Sequence, residues 1–366
     1  MSLIAFILIL ALLILVHELG HFSVAKFFGI KVEEFGIGFP PRLIYKKFGE
    51  TIYSLNILFF GGFVKIFGED AQEGAGNPRS MASKPRLVQA AVIVAGIVMN
   101  ILFAWVALSA GYVAGLPTPV EHEGFGIVKG ANVMVTGILP GSPAARAGLK
   151  AEDIIEVAET GSAKLDVRTL NTNRQADAVR NFIAEHGSES VVLTVLRKDE
   201  EQTFLAKPED GIVEGKKAIG VQLEDVGTLQ LPPHLAVLQG ALLTYDLTIS
   251  TAKGLLGFFG QIARGVADFG SVAGPIGIAS IGSQAVAQGF SAVIVLTAVI
   301  SVNLALINLL PVPGLDGGRL LIILIEAAIR RPVSPRITTW ATLAGMGLLI
   351  LLMLVVSYHD IVRLIG

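Results

Sequence analysis

The two longest stretches of this chain without Asp, Glu, Lys or Arg run through Leu87 to Leu116 and Phe269 to Leu315. Nothing else in the sequence limits the fold as strongly. About 20 apolar residues, at roughly 1.5 Å rise each, cross the hydrocarbon core of a bilayer. Backbone inside that core has to be helix or closed barrel, because no water is there to bond it. Composition agrees, since only 16% of the 366 residues are charged, against about 25% in soluble domains. The class is an α-helical polytopic membrane protein, with spans predicted at about 3–28, 87–116, 290–312 and 339–357.

The first span resembles a secretory signal from Leu3 to Val16. No positive residue precedes that run, no small-residue cleavage site follows it, and apolar character resumes through Phe22, Val24, Phe27 and Phe28. One retained helix is expected. Lys and Arg concentrate between the first two spans, from Lys26 to Arg86, and before the last, from Arg319 to Arg336. The positive-inside rule puts both loops in the cytoplasm, and the termini and the long region after the second span outside. The segment 232–268 is apolar but holds Asp246 and Lys253. A charge at mid-bilayer costs at least about 2.5–3.5 kcal/mol, so an amphipathic helix lying at the interface is expected there.

From 121 to 225 the composition is that of a soluble domain. Ser142-Pro143 reads as a helix start with Gly148 as its stop. Asn173 to His186 has apolar residues at helical spacing, and Val191 to Arg197 with Gln202 to Ala206 alternate as a hairpin around Lys198-Asp199-Glu200-Glu201. A small α+β domain is predicted. The net charge of −2 and the lack of a basic face interleaved with aromatics leave no sign of a nucleic-acid partner. The chain has no cysteine, so any metal would be held by His and carboxylate.

His17 and His21 are four residues apart on the first predicted helix, about 40° apart around its axis, so both imidazoles reach one ion. Glu18 beside them can take a proton from water at that ion. Zinc would lower the pKa of such a water toward about 7 and polarise a scissile carbonyl. The short motif also occurs by chance on soluble helices, but polar residues near membrane depth are costly to keep without use. A catalytic zinc site needs a third protein ligand. His122, His186, His234 and His359 read as solvated surface residues, whereas Asp316 is the first acidic residue after the long uncharged stretch. It follows Pro311 and Pro313, which forbid regular helix, and sits among Gly314, Gly317 and Gly318, which admit backbone conformations closed to other residues. The competing reading is that Asp316 caps a helix starting near Arg319.

These pieces resemble the site-2 protease family of intramembrane zinc metalloproteases (peptidase M50), in particular the bacterial regulator-of-sigma-E branch. The resemblance rests on His17-Glu18-Leu-Gly-His21, Phe35-Gly-Ile-Gly-Phe39, Phe60-Gly-Gly-Phe-Val-Lys65, Gly274-Pro-Ile-Gly-Ile278 and Asn308 to Gly317. It implies Zn2+ held by His17, His21 and Asp316, Glu18 as catalytic base, Asn308 holding substrate backbone, and a membrane-dipping β-hairpin at about 51–66 that brings Gly61 and Gly62 to the substrate. Asn100 matches a family Asn in the second span and is expected on the substrate side, although the usual preceding Pro is missing from Gly96-Ile-Val-Met-Asn100. The region 121–225 looks like a single PDZ domain, from Val133 to Leu149 and Asp153-Ile-Ile155, with Glu152 where the usual pattern has Gly. The implied location is the bacterial inner membrane, the implied partners single-span membrane protein substrates and the lipid bilayer, and the implied task regulated intramembrane proteolysis of an anti-sigma factor or of signal-peptide remnants. A non-catalytic PDZ scaffold for exported peptides is the alternative from another class. Non-haem iron, which also takes two His and a carboxylate, is a third reading that leaves Glu18 unexplained.

Overall fold

The computed structural model describes residues 2–69, 74, 76–170, 174–197, 200–213, 216–266 and 274–365. The chain folds as two compact units, Met1–Gly111 with Val237–Gly366, and Tyr112–Ala236. They are called the membrane unit and the central unit below.

The membrane unit begins with α1 (Ser2–Phe27), followed by the strands β1 (Val32–Phe48) and β2 (Thr51–Ile66) and by α2 (Arg86–Ala114), whose last residues belong to the central unit. The expected hairpin at 51–66 is corrected here. That segment is a single strand, and its partner is β1, paired from Val32↔Ile66 to Phe48↔Thr51 around a turn at Gly49, where φ is 61°. Burial alternates along β1 from Val32 to Gly38, the period-2 pattern of a half-covered strand. A buried polar spine ties the two strands. Ser54 Oγ and Arg42 donate to the Glu34 carboxylate at 2.6 and 3.0 Å, and Thr51 Oγ1 donates to Val32 O at 2.8 Å.

The central unit holds β3 (Leu116–Pro119), β4 (Lys129–Ile138), α3 (Pro143–Ala147), β5 (Ile154–Glu159), β6 (Lys164–Asp166), α4 (Gln175–Glu185), β7 (Val191–Arg197), β8 (Glu200–Ala206), β9 (Glu209–Val213), β10 (Lys216–Ala218) and β11 (Val221–Leu229). Its main sheet runs β3-β11-β4-β5-β7-β8, with β6 beside β5, around a core that includes Val133, Ile155, Val179, Leu193 and Leu223. The predicted cap is present: Ser142 accepts from Ala145 N–H, and Gly148 is left-handed at φ 89°. Asn173 and the turn residues Lys198 and Asp199 lie outside the described residues. Glu152, at the position where the resemblance has Gly, takes φ 72°. That left-handed backbone is what glycine adopts without steric cost.

Next to it, Asp153 is fully buried and accepts both Arg197 nitrogens at 2.6 Å and Lys150 N–H at 2.8 Å. The bond to Asp153 holds the Arg197 guanidinium above its ordinary pKa. Asp153→Ala is expected to cost the central unit about 1–3 kcal/mol, because Lys150 N–H loses its acceptor and Arg197 keeps only Gly148 O, Gln202 and the Phe204 ring. Hydrogen exchange across β5 and β7 should speed up accordingly, and unchanged protection there would contradict the expectation.

The membrane unit resumes within α5 (Pro233–Ala263), whose first residues belong to the central unit, and continues with α6 (Pro275–Gln288), α7 (Phe290–Leu309), α8 (Asp316–Ile329) and α9 (Pro335–Ile365). Among the described residues, four segments are long and apolar enough to cross a membrane: Ile4–Phe27, Arg86–Ala114, Phe290–Leu309 and Pro335–Val362. Two boundaries move from the sequence reading. The third span ends at Leu309 instead of 312 because Pro311 and Pro313 cannot continue the helix, and the fourth starts earlier, with Pro335 in the first turn where its missing N–H costs nothing. Leu8, Leu12, Leu348 and Leu351 are exposed, an arrangement suited to lipid and not to water. Ala25, Ile30, Val32, Ile66, Val92, Ile93 and Ile323 form one apolar core shared by α1, the β1–β2 ribbon, α2 and α8.

Candidate metal centre

The cluster starts with α1. Helical geometry puts His17 and His21 one above the other, and both are buried, at 5% and 7% exposure. Their Nε2 atoms lie 3.1 Å apart. Asp316 comes from the first turn of α8, 299 residues further on, and its Oδ2 lies 2.8 Å from His17 Nε2 and 3.2 Å from His21 Nε2. The capping alternative fails, since Leu315 is the N-cap of α8 and no side chain caps it. The approach depends on small residues. A Cβ on Gly317 would enter the carbonyl oxygens of Leu309 and Leu310, and one on Gly318 that of Val312. Only Gly314, at φ 104°, uses a left-handed backbone, so Gly317 and Gly318 serve by their size.

Two further glycines bring α2 against the histidines. A Cβ on Gly20 would lie 2.7 Å from Ala95 C, and one on Gly96 would lie 2.5 Å from His21 Nε2 and 2.8 Å from His17 Cε1. The two helices therefore touch backbone to backbone at the level of the cluster. From α2, Val92 O accepts from His21 Nδ1 at 2.8 Å, and the Asn100 amide lies 3.3 Å from His17 Nδ1. Asn100 is thus drawn into the cluster itself. Glu18 stands beside the strand β2, its Cγ 3.8 Å from where a Gly62 Cβ would be, and Gly61 faces Phe39 and Ile14. Asn308 is half-buried at the end of α7.

Among the described residues, His17, His21 and Asp316 are the one group of three or more potential ligands with converging donor atoms. The other histidines stay apart from it. Two of them are less solvated than the sequence reading expects: His186 and His359 are half-buried and bond backbone carbonyls at 3.0 and 2.9 Å, whereas His234 is exposed. The contributions of Val92 O and of the Gly20 and Gly96 contact were not legible in the sequence, although Gly96 and Asn100 share a helix face at i, i+4.

The family model of peptidase family M50 matches residues 5–352. The chain belongs to this family, that of the site-2 proteases. Among its relatives, a protein of Nostoc sp. that is named as a zinc metalloprotease is 34% identical over 358 residues, covering 96% of this chain and 93% of its own. One of Clostridium perfringens, named likewise, is 33% identical, covering 96% and 95%. The zinc metalloprotease RasP of Bacillus licheniformis is 28% identical, covering 99% of each.

As an M50 peptidase the chain has zinc as its expected cofactor, and the donor set fits. Two imidazole nitrogens and one carboxylate oxygen, without thiolates, make the three-ligand set of a catalytic zinc site. Zinc bonds of 2.0–2.1 Å in a tetrahedron set ligand atoms about 3.3 Å apart, and the separations here are 2.8, 3.1 and 3.2 Å.

Proposed function

We propose that this peptidase is an intramembrane zinc metalloendopeptidase that cuts single-span membrane proteins within or beside the bilayer, with its cluster toward the cytoplasmic side of a bacterial inner membrane. The observation that carries the reading is the convergence of His17, His21 and Asp316, with Glu18 adjacent, on a helix of spanning length and apolarity. In this reading His17, His21 and Asp316 hold zinc, which supplies a Lewis acid for the scissile carbonyl and lowers the pKa of a water. Glu18 takes the proton from that water and passes it to the leaving amine. Strand β2 carries Gly61 and Gly62 past Glu18 and offers an edge on which an unwound substrate segment lies extended. Asn308 holds substrate backbone. A helical segment resists cleavage because its carbonyls are already bonded. The anti-sigma and signal-remnant classes both present such single spans.

The region 121–225 is proposed to be PDZ-like, with α4 set against β11 through Ala176 N–H to Asp225 Oδ1 at 3.0 Å. The edge of β11 is already engaged. β3 pairs with Val226 to Leu229, Val120 N–H bonds Asp225 O at 2.8 Å, and Arg180 donates to Leu223 O. This favours steric selection of substrates over their capture by strand addition.

The test is cleavage by the purified protein in liposomes of a single-span substrate carrying Gly-Pro in its span. Product ends inside the span are expected by mass spectrometry. Replacing the pair by Leu-Leu should slow cleavage at least about tenfold, from the helix propensities of Gly and Pro. Product ends only outside the span, or cleavage of an unfolded soluble protein with the span substrate left intact, would overturn the reading.

A further inference from the structure

We infer that Asn100 is a positioning residue for the metal ligand His17, with its amide oxygen accepting the His17 Nδ1 proton, and not a substrate-binding residue. The inference rests on the zinc reading above.

Both histidines turn Nε2 toward Asp316. A nitrogen that ligates a metal carries no proton, so each ring must hold its proton on Nδ1, and that N–H needs an acceptor. For His21 the acceptor is plain: Val92 O, at 2.8 Å, can only accept. This leaves the lone pair of neutral His21 on Nε2, 3.2 Å from the Asp316 carboxylate and 3.1 Å from His17 Nε2. Electron-rich atoms crowd there in an arrangement that a cation satisfies.

For His17 the partner is the Asn100 side chain, placed with its nitrogen 3.3 Å from Nδ1. In that placement Asn100 Oδ1 is buried with no partner, and Asn100 is wholly buried. With His17 Nε2 on a metal, two N–H groups would also face each other. Exchanging the amide oxygen and nitrogen, which have nearly the same shape, gives the oxygen a donor in Nδ1–H and ends the meeting of two N–H groups. The oxygen then receives Nδ1–H and holds the ring with Nε2 toward the cluster. The backbone of Asn100 is itself held, since Ser301 Oγ on α7 donates to Asn100 O at 2.8 Å and Ser301 is fully buried. α7 thus sets α2, and α2 sets the ring on α1.

The test uses full-length protein in detergent, stripped of metal and titrated with zinc against a chromophoric chelator. Asn100→Asp keeps an acceptor in place and loses the ability to donate. It should bind zinc within a few-fold of wild type, with the same cobalt(II) d–d absorption. Asn100→Leu keeps the bulk and loses the acceptor. It should bind zinc about 10–100-fold more weakly, with an altered cobalt spectrum. If Asn100→Leu does not fold, Asn100→Asp alone decides, because an Asn100 that donates to His17 would make the Asp variant bind weakly. Weak binding by Asn100→Asp, or wild-type binding by folded Asn100→Leu, would overturn the inference. A wild-type protein that takes up no zinc would instead overturn the metal reading beneath it.

Discussion

Purified Glu18→Gln protein is expected to take up one zinc per chain, as wild type does, and to lose cleavage of a membrane substrate by about 10²–10⁴-fold, the range ascribed to a positioned acid or base. Gln matches Glu in shape, and position 18 is not among the three donors that converge from His17, His21 and Asp316. It cannot receive a proton at neutral pH. Metal content with unchanged stoichiometry, beside product counted by mass spectrometry, separates loss of the base from loss of the site. Undiminished cleavage by a pure preparation would place the base elsewhere.

The second large effect is expected at Gly96→Ala. A methyl group there would stand 2.5 Å from His21 Nε2 and 2.8 Å from His17 Cε1, and neither ring can retreat, because His21 is tied to Val92 O and both are buried. Either α2 moves away from α1, where Gly20 packs on Ala95, or the imidazoles turn out of the cluster. Overpacking of this kind costs about 1–3 kcal/mol, and the zinc stoichiometry should fall well below one. Thermal unfolding and metal analysis on the same preparation check both parts. An active variant with full zinc would mean that α1 and α2 do not make this approach in the membrane.

Part of this was legible in the chain alone, where the relevant geometry is local. The spacing of His17, Glu18 and His21 on one helix follows from 3.6 residues per turn, and the four long apolar helices follow from hydropathy and length. The helix from Pro143 and the pairing of β7 with β8 follow from cap residues and alternation. Strand pairing was not legible locally. The resemblance implies a hairpin within 51–66, yet that segment is one strand of a longer ribbon whose partner, β1, precedes it. The 14-residue helix α6 has no boundary signal inside the uncharged stretch, since continuous apolar sequence does not mark where one helix ends and another begins.

Local rules suffice to make the chain a helical membrane protein, and to put two imidazoles and a carboxylate on one face or flank of its first helix, because a helix sets its own side-chain directions. That Asp316, 299 residues from His17, closes the cluster at 2.8 Å depends on the packed fold. So do the room made by Gly20, Gly96, Gly317 and Gly318 and the placement of Asn100 facing His17 instead of apart from the ligands. Such facts depend on which helices abut and how closely. That is settled by packing across the whole membrane unit, which no local spacing encodes.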